Sequence, residues 1–144
     1  MHPFQHAATT PDKPAVIVAE TGATMTYAEL EAASNRVAQL FRSLGLQPEA
    51  RVAFFLTNTP DYYPLVWGAQ RAGLRYIAVS SKLTAPEVDY ILTDSGAELL
   101  VAGADLSQVA SSLAAPCARF CLGGPIAGFA PSGVWTTSGW NIVA

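Results

Sequence analysis

A chain of 144 residues suits one compact domain, able to bury roughly two thirds of the surface that its unfolded form exposes. Its 51% hydrophobic content stands against 13% charged residues, well under the roughly 25% usual for soluble domains, so much of the surface is apolar or neutral, as in a piece of something larger. Eight basic and 11 acidic side chains give a net charge of -3 with no Lys or Arg run, which excludes phosphate backbones as natural partners.

The first ten residues lack a positive n-region and an apolar h-region, so secretion through a signal peptide is not expected. No aliphatic or aromatic run exceeds Val52–Leu56, far short of the roughly 20 residues of a membrane span. A cytoplasmic protein is the resulting expectation. His2 and His6 are four apart and would share one helical face, half of a metal site. Two ligands do not close one, and a frayed amphipathic segment around Phe4 is the preferred reading.

Ala15–Ala19 and Ala23–Thr26 are β-prone runs separated by Glu20, Thr21 and Gly22, which predicts a small hairpin. Thr26-Tyr27-Ala28-Glu29 is a capping box, in which hydroxyl and carboxylate each satisfy a free backbone donor. Leu30, Ala33, Val37, Leu40, Phe41 and Leu44 follow at helical spacing, and Gly45 ends the helix. The unbroken apolar run Arg51–Leu56 reads as a strand covered on both faces of a parallel sheet. A second helix carries Leu65, Val66, Ala69 and Ala72 and stops at Gly73. Pro64 lacks an N–H and crowds the carbonyl four residues back, so this helix kinks or starts late, near Asp61–Pro64. Tyr62, Tyr63 and Trp67 could stack on a base, but packing over a sheet is the preferred role, with Tyr63 and Trp67 as the covering pair.

Tyr76–Ser80 is the next strand, and Thr84-Ala85-Pro86-Glu87 repeats the capping box before a helix with Val88, Ile91 and Leu92 inward and Gly96 at its end. Leu99–Ala102 reads as a strand, Asp105–Leu113 as a weaker helix and Cys117–Leu122 as a strand. Cys117 and Cys121, four apart on a strand, point to one face; two buried thiols are a better reading than a zinc site, since tetrahedral metal needs four ligands. The alternation predicts an α/β fold: a doubly wound, mostly parallel sheet with helices on both faces, preceded by a small N-terminal β-hairpin. One folded portion, residues 1–122, is expected. From Gly123 to Ala144 no charged residue occurs and Gly, Pro, Ser and Thr are frequent, so residues 123–144 read as an unstructured tail.

Several blocks together resemble the opening of the adenylate-forming (AMP-dependent) synthetases, particularly the acyl-CoA synthetases. They are Pro11-Asp12-Lys13-Pro14-Ala15, Met25-Thr26-Tyr27-Ala28-Glu29-Leu30, Ser34-Asn35-Arg36-Val37-Ala38, Arg51-Val52-Ala53 leading to Leu56 and Asn58, Ala69-Gln70-Arg71-Ala72-Gly73, and Leu83 with Glu87–Ser95. The resemblance covers about residues 4 to 122 and implies an incomplete N-terminal subdomain of the adenylate-forming fold. It also implies the family reaction, in which a carboxylic acid and ATP give acyl-adenylate and a thiol, usually that of CoA, then takes the acyl group, as in fatty acid metabolism. ATP, Mg and CoA are thus implied for the family. Where such synthetases often carry Asn-Pro after the third strand, this chain has Ser80 and Ser81.

Adenylation needs a Gly/Ser/Thr loop with a Lys to offset triphosphate charge. The nearest text is Thr136-Thr137-Ser138-Gly139, yet no Lys follows Lys82 and no Asp or Glu follows Asp105. The phosphate loop, the Mg and ribose carboxylates and the C-terminal lid of the family therefore have no counterpart here, and no catalytic, cofactor-binding or metal residue is assigned. The absence of G-x-G-x-x-G after the first strand disfavours a nicotinamide dehydrogenase, and the lack of a phosphate loop there disfavours a flavodoxin-like carrier. Ser80 and Ser81, at a strand's carboxyl end, are the nominated contacts with a substrate or CoA channel. The expectation is a truncated synthetase, inactive alone and prone to self-association through bared apolar faces; the alternative is a non-catalytic interaction module that binds an intact synthetase.

Overall fold

The computed structural model describes residues 2–129, 134–136 and 139–141. The chain divides into two compact units, residues 1–47 with 59–73, and residues 48–58 with 74–144.

The first unit opens with α1 (Pro3–Thr9). This segment is helical where the sequence reading expected fraying: Pro3 at the first helical position brings a fixed φ and no orphan N–H, and His2 caps the helix. The hairpin follows as β1 (Pro14–Ile17) and β2 (Thr24–Thr26), antiparallel, with its register shifting between Pro14 and Val16. The first capping box forms as read. Thr26 Oγ1 accepts from the Glu29 N–H at 3.2 Å, and the Glu29 carboxylate accepts from the Thr26 N–H at 2.7 Å. It starts α2 (Tyr27–Ser43), whose buried stripe is Leu30, Ala33, Val37, Ala38 and Phe41. Leu44, predicted on that stripe, is exposed because the helix has ended one residue before it.

Pro64 delays α3 (Tyr62–Arg71) rather than kinking it. It is the third helical residue, still in the first turn where an N–H has no intrahelical partner, and the carbonyl it would have crowded, that of Pro60, lies before the helix. Packing of α3 on α2 depends on Gly68. A Cβ there would overlap the Cβ and Cγ1 of Val37 and stand 3.1 Å from the Ser34 carbonyl oxygen, so the two backbones approach only because residue 68 has no side chain. Beside this contact lies a polar cluster. Ser34, the buried polar residue of α2, donates to the Glu31 carbonyl at 3.1 Å and accepts from Arg71 Nε at 3.0 Å, while the Arg71 guanidinium also pairs with the Glu31 carboxylate. Each member is thereby satisfied, as a buried hydroxyl requires.

The second unit is a four-stranded parallel sheet of order β4-β3-β5-β6, with β3 Arg51–Phe55, β4 Arg75–Val79, β5 Leu99–Gly103 and β6 Ala118–Leu122. In register, Ala53 faces Leu100 and Phe55 faces Ala102 across β3 and β5, and Ala102 faces Cys121 across β5 and β6. These side chains form one core with Val88 and Leu92 of α4 (Ala85–Ser95) and Ala110 of α5 (Ser107–Ala110). Val52, Phe54, Leu99, Val101 and Phe120 lie on the opposite face of the sheet and are buried as well, which is why the strands read as continuous apolar runs. The weak helix is shorter than expected, a 3-10 turn Ala104–Leu106 leading into α5.

In the second capping box the Glu87 carboxylate accepts from the Thr84 N–H at 2.8 Å and the Thr84 hydroxyl at 2.7 Å. The hydroxyl's bond, then the backbone's, holds the Glu87 carboxyl below the ordinary carboxylate range. Farther along α4, Asp89 accepts from the N–H groups of Ala114 and Ala115 at 2.8 to 2.9 Å, fastening the chain that leaves α5.

The region after Leu122 carries more structure than its composition suggested. Ile126 and Phe129 are buried in the core cluster, because two large apolar side chains gain more by leaving water than the surrounding Gly and Pro cost in order. Val134–Thr136 (β7) and Gly139–Asn141 (β8) pair antiparallel. Thr137 and Ser138, the centre of the weak phosphate-loop candidate, lie outside the described residues. Among the described residues no helix is long and apolar enough to cross a membrane.

Two substitutions test this packing. Thr26→Ala should lower unfolding stability by about 1 kcal/mol through loss of the cap, and Gly68→Ala by roughly 1–3 kcal/mol through overpacking against Val37. Urea unfolding of each variant measures both.

Candidate functional site

In an open α/β sheet, ligands meet the carboxyl ends of the strands where successive connections diverge to opposite sides. The order β4-β3-β5-β6 fixes that point. From β3 the chain passes through α3 to β4 on one side, and from β4 through α4 to β5 on the other. The divergence lies between the ends of β3 and β5.

Two side chains meet there, and sequence reasoning nominated neither as a site residue. Thr57, two residues beyond β3, donates its hydroxyl proton to Asp105 Oδ2 at 2.6 Å. Asp105 sits in the 3-10 turn after β5. Gly103 permits the pairing: a Cβ at that position would overlap Asp105 Oδ1 and lie 3.6 Å from Leu56 Cδ2, so its absence leaves room for the carboxylate to fold back over the strand end. No sequence motif announces this bond, whose partners are 48 residues apart.

The nominated Ser80 and Ser81 fall after β4, an edge strand, with β3 between them and β5. Ser80 is exposed, and its Oγ accepts from the Lys82 N–H at 3.3 Å; Ser81 is half-buried in the same turn. The structure therefore places the two serines one strand away from the Thr57–Asp105 pair.

The chemistry of the divergence point is that of a neutral hydroxyl with the Asp105 carboxylate. Lys82 is the sole cation in the segments that leave β3, β4 and β5 up to the next helix, and the carboxylate repels phosphate oxygens. Arg119, near the start of β6, spends its guanidinium on the Leu113 and Ala115 carbonyls at 2.6 and 3.2 Å and lies 5.7 Å from the centre of the Phe129 ring. These residues do not fit a magnesium triphosphate, which needs several donors and cations converging on its oxygens.

His2, His6 and the two cysteines are engaged in packing contacts. The His2 ring lies 4.8 Å from Trp67 and the His6 ring 4.7 Å from Tyr27. Tyr63, expected to pack with Trp67, is exposed instead. Cys121 is buried in the core and Cys117 packs against it; burial raises both thiols above their ordinary value. Among the described residues no group of three or more His, Cys, Asp or Glu side chains is assembled for a metal ion.

The family model for AMP-binding enzymes matches residues 4–123. The chain belongs to the AMP-binding enzymes. A fatty acid–[acyl-carrier-protein] ligase of Streptomyces coeruleorubidus is 41% identical over 95 residues, which are 66% of this chain and 18% of that protein. A long-chain-fatty-acid–CoA ligase of Mycobacterium tuberculosis is 33% identical over 111 residues, 77% of this chain and 22% of the ligase. Among solved structures, a Mycobacterium tuberculosis fatty acyl CoA synthetase superposes with a TM-score of 0.74 at 30% identity, over 83% of this chain and 25% of the synthetase. The chain thus spans about a fifth of the length of the curated relatives it matches, and it is similar to an N-terminal portion of an AMP-binding acyl-CoA synthetase.

Thr57→Val should cost about 1 kcal/mol of stability by removing the donor to Asp105, read from the urea midpoint. Iodoacetamide at pH 7.5 should label Cys117 and Cys121 of the folded protein far more slowly than those of the urea-unfolded chain, since the thiolate is the reacting form and burial suppresses it.

Proposed function

We propose that this chain is the sheet framework of a carboxylate-activating acyl-CoA synthetase, and that these 144 residues do not form an acyl-adenylate by themselves. In the reaction of the whole enzyme, a carboxylate oxygen attacks the α-phosphorus of ATP, pyrophosphate leaves, and the sulfur of CoA then displaces AMP to give the thioester. Fatty acids are the acyl class that the names of the similar ligases favour.

The observation that carries the inactive reading is the charge at the sheet ends. An adenylyl-transfer site must stabilise negative charge developing on phosphate oxygens. Here the divergence point of the sheet holds the Asp105 carboxylate, already engaged by Thr57, and no Lys follows Lys82 in the sequence. Ser80 and Ser81 keep a role as neutral contacts for an acyl or CoA chain in the complete enzyme. Self-association belongs to the same reading: the outer edge of β4 is unpaired among the described residues, Tyr76 on it is 41% exposed, and such edges pair with other chains.

A continuous pyrophosphate-release assay with ATP, Mg and a panel of fatty acids tests the proposal, with a full-length long-chain-fatty-acid–CoA ligase as positive control. No release above background by the 144-residue chain is expected; acyl-dependent release by the chain alone would overturn it.

A further inference from the structure

His2 performs two tasks in the first unit. As the N-cap of α1 it is extended (φ -81°, ψ 140°), and its Nδ1 accepts from the Phe4 backbone N–H at 3.2 Å. Its ring also meets Trp67 of α3 at 4.8 Å with the planes 69° apart, so the cap is at the same time a contact that seats the helix. Pro3 has no N–H, and His2 is the side chain that closes the amino end of α1.

An imidazole nitrogen accepts a hydrogen bond only when it carries no proton, so this arrangement requires neutral His2 with its single proton on Nε2. Protonation turns Nδ1 into a donor facing another donor, the Phe4 N–H. The groups around the ring weigh on the same question. Partial burial opposes the charge most, Arg71 of α3 opposes it next, Glu31 of α2 favours it, and the amino terminus opposes it; the sum holds His2 below its ordinary value.

We propose that His2 is an acid-sensitive latch for α1: the neutral ring closes the helix and seats it against Trp67, and protonation releases the helix from its amino end. His6, whose ring lies 4.7 Å from that of Tyr27 with the planes 33° apart, keeps the carboxyl half of α1 in place. The sign follows from linkage. A histidine held below its ordinary value stabilises the seated helix fully above the unfolded value of about 6.5, and that stabilisation is lost as pH falls through the lower folded value.

Two-dimensional NMR of the 144-residue protein between pH 8 and pH 5 tests the latch, following the His2 ring protons, the Phe4 amide and, as a control for global unfolding, the Ala114 amide. The latch predicts a His2 midpoint below about 6.5, a Phe4 amide that shifts and loses exchange protection with the same midpoint, and an unmoved Ala114. His2→Asn supplies a non-titrating cap and should abolish the Phe4 transition, whereas His6→Asn should retain it. A His2 midpoint at or above the ordinary value, a Phe4 amide that stays still while His2 titrates, or a transition that survives in His2→Asn would each overturn the latch.

Discussion

The structure depends on the parallel pairing of β3 with β5. Parallel strands cannot be joined by a tight turn, so each pairing demands a long crossover, and here the crossover from β3 to β5 is doubled because β4 is made in between. That detour places β4 and β5 on opposite sides of β3 and creates the divergence point. The same pairing requires apolar side chains on both faces of the strands: Ala53, Phe55, Leu100 and Ala102 on one, Val52, Phe54, Leu99 and Val101 on the other, all buried. A polar residue at any of these positions would place an unsatisfied group in the core, a cost of about 1–3 kcal/mol.

At the divergence point one exposed hydrogen bond links the segments that follow β3 and β5. The Thr57 hydroxyl donates to Asp105 Oδ2, and Gly103 leaves room for the carboxylate beside it. A site meant for anions would present backbone N–H groups and cations there; this one presents a carboxylate. The bond joins two segments that lie 48 residues apart in the chain. The polar group of the first unit, Glu31, Ser34 and Arg71, likewise holds two helices together, through the bonds from Arg71 to Ser34 and to Glu31.

Much of the fold was legible because its signals are local. Thr26 with Glu29 and Thr84 with Glu87 mark helix starts within four residues, and the strands Arg51–Phe55 and Leu99–Gly103 show as apolar runs. The family blocks rest on these same local features, which is why resemblance and fold agree. What escaped is non-local. Thr57 and Asp105, Arg71 and Ser34, and Asp89 with Ala114 pair across 25 to 48 residues, and nothing in the spacing of polar residues reveals which distant backbone group each will reach. Ile126 and Phe129 were hidden by the Gly- and Pro-rich text around them, although their size alone favours burial. In α1 the one available signal, a proline in the first turn, was outweighed by the segment's shortness.

The proposed function turns on whether the described sheet ends, where the Asp105 carboxylate accepts from Thr57 and Lys82 follows β4, take up a nucleotide triphosphate. Isothermal titration of the purified 144-residue protein with ATP in excess Mg addresses it most directly. The account predicts no saturable heat at millimolar nucleotide; a stoichiometric isotherm that Asp105→Ala or Thr57→Val alters would contradict it.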